Sequence, residues 1–298
     1  MANTYILYNP LSGSGKGEEL ARAFGESLGG EPIYRDLTKI EEYEPFFAGL
    51  GEGDRVILCG GDGTLNRFAW DTRDVDYGRE LLYHATGTGN DFLRDLEPKE
   101  TGAPVVINQY LKNLPRVTVN GKESVFLNGV GYGIDGYCCE VGDQLREKSD
   151  KPVNYAGIAI KGLLFHFKPR NAKVTVDGKS YEFPKTWIAP VMHGRFYGGG
   201  MMTAPEQVRN NPDGTLSLVM FHGSGKIRTL MIFPKIFKGE HTKYTKNVTI
   251  LTGKRIEVAF DRPTALQIDG ETVLGVESYS VVSGTVAADA AETAEQTV

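Results

Sequence analysis

Residues 54–66 read DRVILCGGDGTLN. Val56, Ile57, Leu58 and Cys59 form a short apolar run closed by Gly60 and Gly61, which predicts a buried strand. Leu65 and Phe68 then fall on one side of a helical pattern. The order is strand, glycine turn, helix. Missing side chains let a phosphate approach the backbone, and free N–H groups at the turn and helix start attract its charge. An acid inside such a loop, Asp62, makes chemical sense if Mg²⁺ arrives with the phosphates. Gly-Asp-Gly is also ordinary turn chemistry, so a structural turn competes as the reading of this stretch alone. A second stretch, TGTGNDFLR at 86–94, also follows an apolar run, Leu81-Leu82-Tyr83, and shifts the balance towards phosphate binding.

Working outward, Tyr5 to Tyr8 predicts a first strand ending in Asn9-Pro10, followed by the loop LSGSGKG at 11–17. Leu20, Phe24 and Leu28 then mark a helix. The loop is not a P-loop, because Lys16 has Pro10 six residues before it and Gly17 directly after it. Nor is it GxGxxG, which disfavours a Rossmann dinucleotide site. Ile33-Tyr34 starts a second strand, with Thr38 in the loop beyond it. Strands alternating with helices predict an α/β domain with a parallel sheet in three layers. Loops 9–17, 60–66 and 87–91 then gather at the carboxyl ends of its strands, where such sheets bind ligands.

The pattern changes at Arg116. RVTVNGKESVFLN (116–128), AKVTVDGKSYEF (172–183), IEVAF (256–260) and ALQIDGETVL (265–274) alternate apolar and polar residues around Asn120-Gly121, Asp177-Gly178 and Asp269-Gly270. These dipeptides are hairpin signals, so the second half is read as a mainly antiparallel β-sandwich with some helix at 155–165. The expected domains are 1–115, with 276–286 as a candidate completion, and 116–275. The tail 287–298 lacks aromatic residues and carries several acids, the composition of a disordered segment.

Composition supports two domains: 298 residues with 40% hydrophobic content suffice for two cores. A net charge of −5 argues against wholesale nucleic-acid binding. The three cysteines, Cys59, Cys138 and Cys139, lack zinc spacing and suit a reducing cytosol. The start MANTYILYNP is not a signal peptide, no apolar window is long enough to span a bilayer, and neither Ala2 nor the terminal EQTV is a lipidation signal. Histidines 84, 166, 193, 222 and 241 show no ligand spacing. A homodimer is left open.

Eight pieces occur in one order: NPLSGSGKG at Asn9, GGDGTLNRF at Gly60, GTGNDFLR at Gly87, FLNGVGYGIDG at Phe126, HGRFYGGGMMTAPE at His193, NPDGTLSLVMF at Asn211, FKGEHTK at Phe237 and IDGE at Ile268. Across nearly the whole chain they resemble the diacylglycerol and sphingosine kinase catalytic-domain family in its bacterial lipid-kinase form. GGDGT alone is moderately specific, since NAD kinases look similar there; GGDGT followed by GTGNDF is much more so. The family's proline before the second motif is replaced by Ala85-Thr86, a change in loop stiffness more than in chemistry.

The resemblance implies ATP-dependent phosphorylation of a lipid hydroxyl, diacylglycerol foremost, with the nucleotide in a cleft between an α/β domain and a β-sandwich. By that resemblance Gly60, Gly61, Gly63 and Thr64 hold the ATP phosphates, with Leu65 and Asn66 in the same segment. Asp62 meets Mg²⁺ directly or through water. Asn9, Ser12 and Thr38 are further nucleotide contacts, and Thr88, Asn90 and Asp91 line the same cleft. For Arg94 a phosphate contact and a surface ion pair stay equally open. Transfer to an alcohol needs a carboxylate to take the hydroxyl proton. The family places it at Glu271, with Asp269 beside it as a metal, water or orienting partner. Spacing alone does not separate Asp269 from Asp177, since both read as hairpin turns. Asn210, Asp213 and Thr215 resemble a structural Mg²⁺ site of bacterial members, against a plain turn at Asp213-Gly214. Asn211 and Pro212 stand where the family often has a second acid. Tyr197-Gly198-Gly199-Gly200 reads as a loop that shapes the acceptor pocket.

A lipid acceptor requires contact with a membrane from its cytoplasmic side, as a peripheral protein. KGLLFHFKPRNAK from Lys161 mixes apolar and basic residues, and 226–246 carries Lys226, Arg228, Lys235, Lys238, Lys243 and Lys246 against Glu240. Basic residues near an anionic leaflet contribute about 1 kcal/mol each. A core helix with solvated lysines is the competing reading of either stretch. The other functions weighed are an NAD kinase-like phosphotransferase on a soluble alcohol and a non-catalytic nucleotide-binding regulator. GTGNDF and HGRFYGGGM argue against the first, and the presence of both Asp269 and Glu271 against the second. No short motif distinguishes diacylglycerol from phosphatidylglycerol or a sphingoid base.

Overall fold

The apolar run at Val56 to Cys59 becomes the central strand of a five-stranded sheet. The strands are β1 (Thr4–Tyr8), β2 (Ile33–Asp36), β3 (Arg55–Gly60), β4 (Leu81–Ala85) and β5 (Val105–Val106), in the order β2-β1-β3-β4-β5. The first four are parallel and β5 is antiparallel to β4. The chain is seen in a computed structural model that describes residues 2–286 except Thr88, Lys99, Thr101, Glu147, 149–152 and Asn154. The expected disordered tail, 287–298, lies outside the described residues. Two compact units divide at Lys112 and Asn113.

In the first unit, helices α1 (Ser12–Gly15), α2 (Gly17–Leu28), α3 (Tyr43–Ala48), α4 (Asp62–Asp71), α5 (Asp91–Leu96) and α6 (Asn108–Leu111) accompany the sheet. The apolar face of α2 explains its place: Ala21 and Phe24 pack on Ile6, Tyr8, Ile57 and Cys59. β3 is buried throughout its apolar run because it has a hydrogen-bonded neighbour on either side. The strand order reverses between β1 and β3, and the register brings their ends together, Tyr8 opposite Cys59 and Gly60 opposite Ala85. The loops after β1, β3 and β4 therefore leave the sheet side by side, at the switch point where open α/β sheets bind ligands.

The second unit begins with the hairpin β6 (Arg116–Val119) and β7 (Lys122–Val125), then β8 (Gly129–Tyr132) and helix α7 (Ile134–Arg146). Helix α8 (Tyr155–Lys161) runs into a π turn, Gly162–His166, where the sequence predicts helix. The strands β9 (Arg170–Val176), β10 (Lys179–Thr186), β11 (Val191–Met192), β12 (Phe196–Tyr197), β13 (Met201–Met202) and β14 (Leu216–Phe221) follow. Helix α9 (Lys226–Ile232), 3₁₀ turns at Phe233–Lys238 and Glu240–Lys243, and strands β15 (Val248–Gly253), β16 (Arg255–Ile268) and β17 (Glu271–Val282) complete it. Residues 276–282 thus lie in β17, within the second sheet.

All the pairings of the large sheet are antiparallel, as predicted. Its organiser is β16. Ile256 to Phe260 pair with β9, Leu266 to Ile268 pair with β8, and β17 runs along β16 with register shifts between Ala259 and Leu266. One strand so serves two layers, bending at the irregularity as sandwich corners do. The core includes Val130, Tyr132, Val174, Ile256, Val258 and Tyr279. Tyr132 stacks on Phe260 at 3.9 Å and donates to Val276 O at 2.6 Å, so its hydroxyl is satisfied in the interior. A second apolar cluster, around Trp187, Leu163, Phe167, Ile232 and Ile236, holds α7, α8 and α9 to this unit.

Candidate active site

The first unit brings two glycine loops together backbone against backbone. A Cβ on Gly87 would stand 2.5 Å from Gly61 Cα, and one on Gly61 would stand 3.1 Å from Gly87 Cα. No side chain fits between these loops. Thr86 N donates to Gly60 O at 2.8 Å, continuing the β3–β4 ladder, and Tyr83 Oη donates to the same oxygen at 3.0 Å. Gly61 caps α4, so the first N–H groups of that helix, at Asp62, Gly63 and Thr64, lack intrahelical acceptors. That is the arrangement that receives an anion.

Asp62 does something the sequence does not disclose. Its Oδ2 accepts from Asp91 N at 2.8 Å and its Oδ1 from Phe92 N at 3.0 Å. The acid of the GGDGT loop caps α5, the helix opened by the GTGNDF motif, and locks the two loops in register. Each oxygen still has a second lone pair, so a cation beside the phosphates remains compatible with this role. Next to the clamp, Thr86 Oγ1 and Asn90 Oδ1 are buried without hydrogen-bond partners among the described residues. Buried orphans of this kind call for a ligand, so the residues present fit a bound nucleotide.

The other predicted nucleotide residues divide by what their polar groups already hold. Asn9 Oδ1 accepts from Leu11 N, and Asn9 O accepts from both Ser12 N and Ser12 Oγ. The loop coils so tightly on Asn9 that a Cβ on Gly17 would lie 1.9 Å from its carbonyl oxygen. Thr38 donates through its N–H and its hydroxyl to Asp36 Oδ1. Leu65 is fully buried, and its N–H bonds Gly61 O, so it serves the core. Thr64 is buried at the loop, and Asn66 is half-buried one turn into α4. Asp91 is buried and accepts from Arg94 Nη1 at 3.2 Å, so Arg94 forms an ion pair on α5. Thr88 lies outside the described residues.

In the second unit the turn Asp269-Gly270 has both residues at positive φ, 45° and 99°. Asp269 accepts from Leu127 N at 2.5 Å, Asn128 N at 2.9 Å and Gly129 N at 3.0 Å. The FLNG and IDGE motifs are therefore stapled together through one carboxylate. Leu127 O in turn accepts from His193 Nδ1 at 3.0 Å and from Arg209 Nη1. Because a carbonyl can only accept, His193 carries its proton on Nδ1. Asn128 O accepts from the N–H groups of His193 and Gly194, and Asn128 Oδ1 from Arg209 Nη2 at 2.9 Å. Glu271, next after the turn, is exposed and opens β17 opposite Ile268. An exposed carboxylate on a fixed backbone can accept a proton from a bound alcohol.

Sequence reasoning missed three polar residues here. Gln267 is buried, and its Oε1 accepts from Gly270 N at 2.6 Å, bracing the turn from within. Arg209 joins the Leu127–Asn128 hub, with no sequence signal beyond its charge. Asp135 could have been found as an acid inside the apolar motif GYGIDG. Its Oδ2 accepts from Tyr197 Oη at 3.0 Å, while Oδ1 is buried without a partner among the described residues. Burial pushes its carboxyl up to about 6, with the Tyr197 hydrogen bond opposing. Gly131 makes the room, since a Cβ there would lie 1.9 Å from Asp135 Oδ2 and 2.5 Å from Gln267 Nε2. Tyr197, which precedes the glycines 198–200, is thus buried against this acid.

The loop of Asn210, Asp213 and Thr215 closes on itself. Thr215 O accepts from Gln207 Nε2 at 3.0 Å and Asn211 Nδ2 at 2.8 Å, while Asn211 Oδ1 accepts from Thr215 N. Both lone pairs of that carbonyl are engaged, so a cation there would have to displace one of the two amides. Asn211, standing where the family often has an acid, supplies the amide that closes it. Asn210 adopts a left-handed conformation and Asp213 is exposed. Of the three residues that the resemblance assigns to a structural Mg²⁺ site, Thr215 thus has its carbonyl already engaged by two side-chain amides.

Residues 3–119 match the family model for the diacylglycerol kinase catalytic domain, and residues 128–286 match that for the YegS C-terminal NAD kinase beta sandwich-like domain. YtlR of Bacillus subtilis (strain 168) is 24% identical over 317 aligned residues, covering 95% of this chain and 97% of its own. A diacylglycerol kinase of Mycobacterium tuberculosis (strain ATCC 25618 / H37Rv) is 25% identical over 252 residues, 80% of this chain and 79% of its own. A solved structure from Bacillus anthracis str. Sterne superposes with a TM-score of 0.60 at 21% identity, covering 95% of this chain and 93% of that one, a likeness of fold.

Proposed function

Because the chain belongs to the diacylglycerol kinase catalytic-domain family, we propose that it transfers the γ-phosphoryl group of ATP to a lipid hydroxyl. Mg²⁺ is the accompanying cation, diacylglycerol the acceptor and phosphatidic acid the product. The observation that carries the reading is the clamp of Asp62 on α5 beside the orphaned Thr86 Oγ1 and Asn90 Oδ1. In it, the N–H groups opening α4 hold the phosphates, and Thr86 and Asn90 complete the pocket with a hydroxyl and an amide. Bound Mg²⁺ would be held by the phosphates and Asp62, and would neutralise charge on the transferred group. Glu271 takes the acceptor's proton as its oxygen bonds the γ-phosphorus and the bond to the β-phosphate oxygen breaks, with ADP leaving. Asp269 and Gln267 act through Glu271 by fixing its turn. Nucleotide work is assigned to residues 1–115 and lipid binding to 116–275. A lipid acceptor also places the protein on the cytoplasmic face of a membrane as a peripheral enzyme. A homodimer would show as twice the chain mass in light scattering.

The test is Mg²⁺-dependent transfer of label from γ-labelled ATP to diacylglycerol in mixed micelles, with NAD⁺ in a parallel reaction and Glu271→Gln alongside. Labelled phosphatidic acid that disappears in the variant is the expected result. Labelling of NAD⁺ alone, or ATP binding with no transfer to any lipid hydroxyl, overturns the reading.

A further inference from the structure

Two stretches far apart in sequence present one face of the second unit. The inner sides of α8, the π turn, α9 and Phe233–Lys238 share a single apolar cluster, through Ile158, Leu163, Phe167, Ile232 and Ile236. Their outer sides remain apolar as well. Phe165 is 72% exposed, Ile227 79% and Met231 69%. Ile227 and Met231 are one helical turn apart and project from the same side of α9. Lys226 Nζ donates to Leu164 O at 2.6 Å, which sets the start of α9 beside the π turn that carries Phe165. Large apolar side chains brought together on a surface mark an interaction site.

Charge says what the face meets. Residues 155–170 and 223–239 contain no acid, in a chain whose net charge is −5, and they carry Lys161, Lys168, Arg170, Lys226, Arg228, Lys235 and Lys238; Lys235 is paired with the adjoining Glu240 at 3.9 Å, which leaves the face strongly basic. At the edge of the face, directly beyond Phe165, a cavity of about 360 Å³ is lined by His166, Lys168, Arg170 and Arg262, with Glu140 and Leu274 among its other walls. Arg170 is held by Thr264 Oγ1 at 2.8 Å and lies across Phe167 at 5.0 Å. Its burial and the neighbouring Arg262 charge draw its guanidinium below the usual range, and Arg262 itself is paired with Asp261 at 3.6 Å. With Lys168, Arg170 and Arg262 against Glu140 and the paired Asp261, the cavity carries a net positive charge that suits an anion. We propose that this face docks the protein on an anionic membrane leaflet. Phe165, Ile227 and Met231 enter the acyl boundary, and the Lys168–Arg170–Arg262 cavity receives a phosphate-bearing lipid headgroup. The docking gives the proposed lipid kinase access to its acceptor, but vesicle binding without nucleotide reads it separately from catalysis.

The experiment is cosedimentation of the full chain with vesicles of phosphatidylglycerol mixed into phosphatidylcholine, and with phosphatidylcholine alone. Wild type is expected to pellet with the first and not the second. Phe165→Ser/Ile227→Ser/Met231→Ser should weaken that binding by at least about tenfold, since each large apolar side chain withdrawn from lipid carries that order of effect. Lys168→Gln/Arg262→Gln, at two exposed positions, should weaken it about tenfold and flatten its dependence on salt. All three proteins should keep the same thermal midpoint. Equal binding to both vesicle types, no binding to either, or a triple variant that pellets like wild type overturns the proposal. So does a triple variant that turns a wild-type dimer into a monomer, because a second copy would then be the occupant. Lack of kinase activity with intact vesicle binding would instead remove the catalytic reading and leave the docking in place.

Discussion

The turns at Asp177-Gly178 and Asp269-Gly270 are nearly the same object. Each joins two antiparallel strands, each has the aspartate near φ 46° (47° and 45°), and each aspartate accepts backbone N–H groups from another segment. Asp177 holds Lys254 and Arg255; Asp269 holds Leu127, Asn128 and Gly129. The difference lies one residue on and two residues back. After the glycine stands Lys179 in one turn and Glu271 in the other, and only the second turn has a buried glutamine, Gln267, bonded to the glycine N–H. The aspartate of the motif is thus a structural staple in both places, and the glutamate that the second staple positions is the group we propose as the proton acceptor.

The largest expected break in the comparison is Glu271→Gln. It should lower kcat by about a hundredfold or more, the usual contribution of a general base, while Lys179→Gln leaves kcat unchanged. Equal kcat in Glu271→Gln and wild type would end the assignment. Asp269→Asn comes next. Both of its oxygens are used, so an amide must point N–H groups at donors, at a cost of about 1–3 kcal/mol in urea unfolding, with a fall in kcat. Asp177 Oδ1 accepts from both Lys254 N and Arg255 N, and Oδ2 only shares the Lys254 N–H at 3.2 Å, so an amide oxygen in the Oδ1 place keeps both partners and Asp177→Asn should cost less than Asp269→Asn, about 1 kcal/mol or below, and leave kcat alone. Matching losses in the two variants would show that the staples differ in nothing.

Gln267→Leu removes only the brace on Gly270. It should cut kcat about tenfold with little change in KM, because a loosened turn misplaces Glu271 without touching substrate affinity. An unchanged kcat would make Gln267 a packing residue. The smallest effect is a pH dependence. Asp135 is raised from 3.8 to about 6 by burial, so its protonated form favours the folded state. That stabilisation is complete below pH 3.8 and is lost as pH rises through about 6. In urea titrations the gap between wild type and Asp135→Asn should therefore widen in favour of the variant from pH 4 to pH 7. A constant gap would show that this carboxyl does not titrate in that window.

Much of the fold was legible because it rests on local chemistry. The β3 run with its glycines, and the Asn-Gly and Asp-Gly turns, specify strands and hairpins within a few residues of themselves. β16 was not legible as an organiser, since its Ile256–Phe260 and Ile268 segments read as separate strands until pairing with β9 and β8 shows one. The loops of the candidate site could be read, yet the function of Asp62 and Asp269 within them could not. A carboxylate looks the same in sequence whether it holds a cation or three peptide N–H groups. Gln267 and Asp135 escaped for a related reason: both are polar residues at inward positions, and only a neighbour such as Gly131, with no side chain of its own, makes space for them.

The double employment of β16 also bears on how the molecule comes apart. A strand hydrogen-bonded to β17 along one edge and to β9 and then β8 along the other cannot fray without releasing every layer it joins. Local opening elsewhere in the second unit can proceed at lower free energy, while the amides of β16 that are paired on both sides, at 256–259 and 266–268, are expected to exchange with solvent only on unfolding of the whole unit. The Asp269-Gly270 turn is the end of that strand. The proton acceptor proposed for catalysis is thereby mounted on the part of the unit that gives way last, and its position is kept through the fluctuations that reach the surrounding loops.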